Sequence, residues 1–314
     1  ATEKNPVNAR SVLKRIYSYS LHPSAFKRLG AALAFNNIYM VLREEDALVD
    51  RFTFEILVHF VESLSLAHKD NKSMGTQEQC VKVLDHLERI MVKKADLLKK
   101  DPGPKLRPEP SFWSSRKLDI AVRWLTRQCG NPQTECRHAC MKLVVKLCTL
   151  LPGVKSSQDF FTIIYKTQGA IYFVQRFEGG GSASGESQGL LACPTLDTLS
   201  EPFSLDVARH WFDMLLAALD CYCWAFGEDL ITPSQLFTGN GSEKSCIFQS
   251  VTFFLDKLVF SDIEGAARLL PHKKTVIFTP LERDEYNRIK CTVIIRIWNF
   301  LSVILARHSQ EVSK

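Results

Sequence analysis

Apolar positions recur every three to four residues along most of the chain, and this periodicity predicts helices rather than strands. Over Ser24–Leu42 the apolar set is Phe26, Leu29, Leu33, Ile38 and Val41, the face of an amphipathic helix for which Pro23 suits the first turn. Glu45–Ala67 repeats the pattern through Leu48, Phe52, Leu57, Phe60 and Leu64, and its acidic start complements the positive end of a helix dipole. A third helix is expected to open at Thr76, where Thr-x-x-Gln to Gln79 has the form of a capping box. It would run through Cys80, Val83, Leu87, Ile90 and Leu97 to a lysine-rich end.

Further helical patterns span Phe112–Cys129, Glu135–Leu150, Gln158–Thr167, Leu205–Phe226, Cys246–Phe260 and Arg283–Arg307. Two stretches break the series. Asp101–Pro110 holds four prolines and a glycine, which remove backbone donors and fix dihedrals, so a loop is expected near 101–111. Glu178–Gly189 reads EGGGSASGESQG and lacks any apolar residue larger than alanine, so a loop is expected to run over 178–203. The fold class is all-α, and periodicity alone leaves an irregular bundle and an α-solenoid of stacked helix pairs both open.

Composition adds bounds. With 46% hydrophobic and 24% charged residues the chain should fold. Its apolar stretches Phe212–Phe226 and Cys291–Ala306 are broken by Asp213, Asp220, Arg296 and Asn299, which predicts buried helices rather than membrane spans. Ten cysteines at irregular spacing fit reduced thiols in a reducing compartment. The polar, basic first fifteen residues lack an initiator methionine, as expected of a fragment of a much longer chain.

A net charge of +6 singles out no partner, but its distribution is uneven. Lys93, Lys94, Lys99, Lys100, Lys105 and Arg107 form the strongest basic run, a candidate for phosphate contact that would position nucleic acid without reading bases. The bland alternative is a helix end and a solvated loop that favour cations for their own reasons.

Catalytic motifs fail at required positions. Gly180 to Gly185 has phosphate-loop spacing, but Glu186 stands where a lysine would be needed. Ala183 replaces the serine of a nucleophile elbow, and no kinase His-Arg-Asp or Asp-Phe-Gly occurs. Cys129, Cys136, His138 and Cys140 resemble a zinc set in residue type only, because His138 should point away from the face that Cys136 and Cys140 share. No catalytic, cofactor or metal residue is therefore assigned. Ser157, Ser187, Ser234 and Ser309 precede glutamine, and Ser187, in the Gly/Ser loop, is the phosphorylation candidate.

Several blocks carry a family resemblance. LHPSAFKRLGAALAFNNIY (Leu21–Tyr39), NPQTECRH (Asn131–His138), LLPG (Leu150–Gly153), FEGGG (Phe177–Gly181), EPFSL (Glu201–Leu205), LLAALDCY (Leu215–Tyr222) and KCTVIIRI (Lys290–Ile297) occur in this order. Together they resemble the helical-repeat region of a phosphatidylinositol-3-kinase-related kinase, more weakly over Lys93–Trp113 and Phe237–Tyr286. The resemblance implies a single α-solenoid segment of HEAT-like helix pairs over 1–314, without family catalytic residues. It further implies that ATP and magnesium are handled by a separate Ser/Thr kinase domain of the longer, nuclear protein. The partners implied are the Ku heterodimer, double-stranded DNA ends in non-homologous end joining, and adjacent helical repeats of the same chain, with no membrane. The alternative is a stand-alone helical protein-interaction module with a weak basic surface.

Overall fold

A computed structural model describes residues 6–99, 118–165, 169–170, 203–237, 246–269 and 277–312. Among the described residues every regular element is helical and no strand occurs, so the fold is all-α. The helices sort into two compact units, Ala1–Ser156 and Ser157–Lys314.

The first unit contains α1 (Pro6–Ser20), α2 (Ala25–Glu44), α3 (Asp46–Leu66), α4 (Thr76–Lys93), α5 (Ala95–Leu98), α6 (Leu118–Gln128) and α7 (Thr134–Cys148). Each helix packs on its neighbours, α2 between α1 and α4, and α3 against α2, α4 and α7. Helix α3 is buried almost all round, with Val49, Phe52, Phe54, Leu57, Phe60 and Val61 inside, which makes it the unit's axis. Helix α2 forms where its periodicity places it but turns a different face inward. Ala31, Ala32, Phe35 and Leu42 are buried, whereas Phe26, Leu33 and Val41 of the expected face are exposed.

A buried arginine recurs at the start of two helices in this unit. Arg28 Nη1 donates to the carbonyls of His22 and Pro23 at 2.7 Å each. Arg137 Nη1 donates to those of Asn131 and Pro132 at 2.8 and 3.1 Å. In both cases the proline stands five residues before the arginine and the turn it makes leads into the helix. The guanidinium satisfies carbonyls that the proline-bent turn would otherwise leave unpaired in a buried place. One local device thus recurs, as a helical-repeat segment would have it.

Helix α4 starts differently from expectation. Gly75, in the left-handed region at φ 72°, occupies the cap position, and Thr76 is the first helical residue, its hydroxyl buried without a partner. No capping box forms there. The helix also stops at Lys93 and resumes as α5, which buries Ala95 and Leu98.

The second unit holds α8 (Ser157–Tyr165), α9 (Leu205–Gly227), α10 (Pro233–Phe237), α11 (Cys246–Phe253), α12 (Ile263–Arg268) and α13 (Pro280–Val312). Helix α11 continues into a π-helical turn over Phe254–Leu258, where the Val259 amide reaches the Phe254 carbonyl at 2.9 Å. Ser204 caps α9 through the Val207 amide, and α9 buries Trp211, Phe212, Leu215, Leu219, Tyr222 and Phe226. Its main partner is α13, with Phe212 against Tyr286 and Tyr222 against Phe300 at ring separations of 5.7 and 5.8 Å.

A capping box does exist, at the start of α13. The Thr279 amide donates to Glu282 Oε2 at 2.8 Å, the Glu282 amide returns a bond to Thr279 Oγ1 at 3.3 Å, and Pro280 takes the first helical position. This carries the helix three residues further back than the expected Arg283. By length and composition α13 is the one described helix apolar enough to cross a membrane. It differs from the expected buried helix, since only the stripe Tyr286, Ile289, Val293, Ile297, Phe300 and Ile304 is covered, chiefly by α9.

Candidate contact surfaces

The basic run resolves into cations with different commitments. Lys93 closes α4 and is exposed. Lys94, in the break before α5, donates to Asp46 at 2.6 Å, and Lys99 lies 3.6 Å from Asp96 one turn away. Asp46 and Asp96 are themselves solvent-exposed, so both pairs are weak and a phosphate could displace them. Lys100, Lys105 and Arg107 lie outside the described residues, as does Ser187. The structure therefore brings Lys93, Lys94 and Lys99 to one helix end, around the α4–α5 break.

The cysteine set is divided by the helix that carries most of it. Cys129, Cys136 and Cys140 are buried, while His138 is exposed on the opposite side of α7. Cys136 Sγ lies 3.5 Å from the Val61 carbonyl, and Cys129 Sγ lies 3.4 Å from that of Leu125. The hydrogen bond with Cys136 and then burial push the Cys140 thiol well above its ordinary range, which holds it protonated. Among the described residues no group of three or more His, Cys, Asp and Glu side chains converges to hold a metal. These thiols fill space between α3, α6 and α7.

Two surfaces escaped the sequence reading. On α13 a second stripe lies opposite the buried one: Ile295, Trp298, Leu305 and Val312 are 63, 72, 68 and 74% exposed. Their spacing of three, seven and seven residues keeps them on one side, a signal that the sequence carries but the count of apolar residues blurs. Arg296, between the stripes, reaches back to the buried carboxylate of Asp220 on α9 at 3.4 Å. The other surface is an open groove between α1 and α2, lined by Val12, Ile16, Tyr19 and Ala34 and edged by Arg15 and Lys27. Helix α1 was not expected, because Arg10, Lys14 and Arg15 interrupt its apolar positions and give the segment a polar, basic character.

Helices packed neighbour on neighbour and a repeated helix-entry device define an all-α helical-repeat segment. The family model for the DNA-dependent protein kinase catalytic subunit, CC1/2, matches residues 1–314, and the chain belongs to that family. It is 44% identical over 315 residues to the DNA-dependent protein kinase catalytic subunit of Gallus gallus, which covers 99% of this chain and 8% of the relative. The Xenopus laevis protein of the same name is also 44% identical, over 312 residues, and the Dictyostelium discoideum one is 30% identical over 347 residues, covering 98% of this chain. The chain spans about a twelfth of the length of these relatives, 8% in each case.

Proposed function

We propose that this segment is a non-catalytic scaffold of a DNA-dependent Ser/Thr protein kinase, one layer of a helical array that supports DNA-end and Ku binding in nuclear double-strand break repair by non-homologous end joining. The observation that carries the reading is the pair of opposed apolar stripes on α13. A terminal surface helix of a self-contained domain needs one apolar face, whereas a helix inside a stacked array needs two. Here the first covers α9 and the second is offered outward. Chemistry on ATP and magnesium belongs, in this reading, to the kinase domain elsewhere in the longer protein, as the relatives' name and the short share of their length support.

The test replaces Trp298 with Glu in the full-length protein. Expected are a loss of protease protection around residues 280–312 and weaker DNA-stimulated phosphorylation, with the KM for ATP unchanged. Wild-type protection together with wild-type stimulation would overturn the scaffold reading.

A second reading rests on the exposed Lys93 at the end of α4. Lys93, Lys94, Lys99, Lys100, Lys105 and Arg107 would then touch the phosphate backbone directly, and replacing all six with Ala would lower DNA affinity and flatten its salt dependence. Phosphorylation of Ser187 by the kinase itself belongs to the same picture and is read by mass spectrometry after activation.

A further inference from the structure

The groove between α1 and α2 is independent of the α13 stripe and has a different chemistry. It measures about 590 Å³, and its floor is apolar, with Val12, Ile16 and Tyr19 from α1 facing Ala31 and Ala34 of α2. Its rim is cationic. No Asp or Glu occurs between Pro6 and Arg43. Arg15 and Lys27 form no ion pair with any described residue, and Lys27 has only His22 Nε2 at 3.1 Å and the Tyr19 ring at 5.8 Å.

Gly30 lines the same groove from the middle of α2. A Cβ built on it would meet nothing within 4 Å, and its φ is not positive. A glycine inside a helix costs about 1 kcal/mol relative to alanine, and here neither packing nor dihedral angle within the fold requires one. The space it leaves opens into the groove, where a second backbone could approach closely.

We infer that this groove receives an acidic amphipathic helix of another polypeptide. Apolar side chains at helical spacing would cover Val12, Ile16 and Ala34, the helix backbone would pass over Gly30, and flanking carboxylates would meet Arg15 and Lys27. A nucleic-acid backbone offers no apolar face to such a floor. A neutral apolar helix would strip water from the two cations and return no charge.

The probe is a fluorescein-labelled amphipathic peptide of about three heptads, with leucine at the core positions and glutamate at the flanks, titrated by polarisation into the full-length protein. Its partner probes are the same peptide with lysine for glutamate and an unlabelled DNA duplex as competitor. The acidic peptide should bind and the basic one should not. Gly30→Met, whose Cβ has clear space and whose side chain would extend along the groove floor, should weaken binding by about tenfold or more. Gly30→Ala, which adds only a methyl group, should keep it. Arg15→Glu with Lys27→Glu should turn the preference toward the basic peptide, with circular dichroism confirming helix content. Equal binding of both peptides, indifference to Gly30→Met, displacement by the duplex, or no binding because another segment of the long chain fills the groove would each overturn the proposal.

Discussion

Arg28 on α2 pairs with Asp70, forty-two residues further on, and both side chains are more than nine-tenths buried. The same guanidinium holds the His22 and Pro23 carbonyls, so one side chain ties the turn before α2 to the turn between α3 and α4. Asp70 lies after the short 3₁₀ turn at Ala67–Lys69, in a connection with little apolar content of its own. The ion pair therefore fixes the path of a loop that packing alone would leave loose.

Asp70→Ala should destabilise the protein by about 3 kcal/mol, because it leaves a buried guanidinium charge uncompensated. Asp70→Asn, which keeps an acceptor, should cost less. Urea unfolding followed by circular dichroism reads both, and equal, small shifts of the midpoint would show that the pair contributes nothing.

Arg137 predicts a parallel result in its own turn. Arg137→Met preserves the aliphatic stem but abandons the Asn131 and Pro132 carbonyls, and the Thr134 hydroxyl at 3.2 Å with them. A loss of about 2–3 kcal/mol is expected. If Met is tolerated here but not at position 28, the two turns do not share a mechanism.

Helix existence was legible because amphipathic periodicity survives in Ser24–Leu42, Glu45–Ala67 and Leu205–Phe226, and each stands within two residues of its expected place. Faces and caps were less so. The apolar count favoured Phe26 and Leu33 on α2, but the small residues Ala31 and Ala32 allow the close approach that α1 and α4 exploit, so the larger side chains are left outside. Thr76-x-x-Gln79 had the right residues for a cap, yet Gly75 reverses the chain one residue earlier and pre-empts it. Thr279-Pro280-Leu281-Glu282 carries the same signature and does form the cap, because no glycine reverses the chain before it and Pro280 suits the first helical position. The recurrent arginine was hidden for a different reason. A proline followed five residues later by arginine is unremarkable until tertiary burial makes the turn's carbonyls need a donor. Of the contact candidates, the lysines at the end of α4 were readable from charge, while the α1–α2 groove depends on two helices meeting and could not be read from either one.

The Tyr286 hydroxyl is buried against α9 without a hydrogen-bond partner, and burial pushes its phenol up. Tyr286→Phe keeps the ring contact with Phe212 and removes the unmet polar group. The variant should be as stable as the parent or more stable by about 1 kcal/mol. A clear loss of stability would mean that the hydroxyl has a partner, such as an ordered water.

Thiol reactivity should separate Cys291 from the interior cysteines. Cys291 is exposed on α13, whereas burial pushes Cys80 up to about 11 and Cys223 up to about 12, in the latter case with help from the Asp220 carboxylate. Alkylation at mildly alkaline pH depends on thiolate, so Cys80 and Cys223 should react at least about a hundredfold more slowly than Cys291. Peptide mapping over time measures this, and Cys291→Ser should remove the fast phase at that position while Cys80 and Cys223 stay slow.

Glu285 ties α9 to α13 in a way that should appear in acid. It accepts from Arg288 Nη2 at 2.6 Å and Nε at 2.7 Å, and from Arg209 Nη2 at 2.9 Å. The Arg288 hydrogen bonds chiefly, then its charge and the contact with Arg209, outweigh burial and bring the carboxyl from 4.5 down to about 2. A carboxylate whose folded value is depressed stabilises the fold above its unfolded value and loses that contribution as pH falls toward the folded one. The stabilisation from Glu285 is therefore complete above about pH 5 and drains away between roughly 4.5 and 2. Both arginines are more than a third exposed, which screens the pair and holds its worth to about 1 kcal/mol. Glu285→Gln should lower stability by that amount at neutral pH and by progressively less as the solution is acidified, until the two proteins unfold alike near pH 2. A difference that stays constant across the whole range would assign the loss to packing between α9 and α13 rather than to charge.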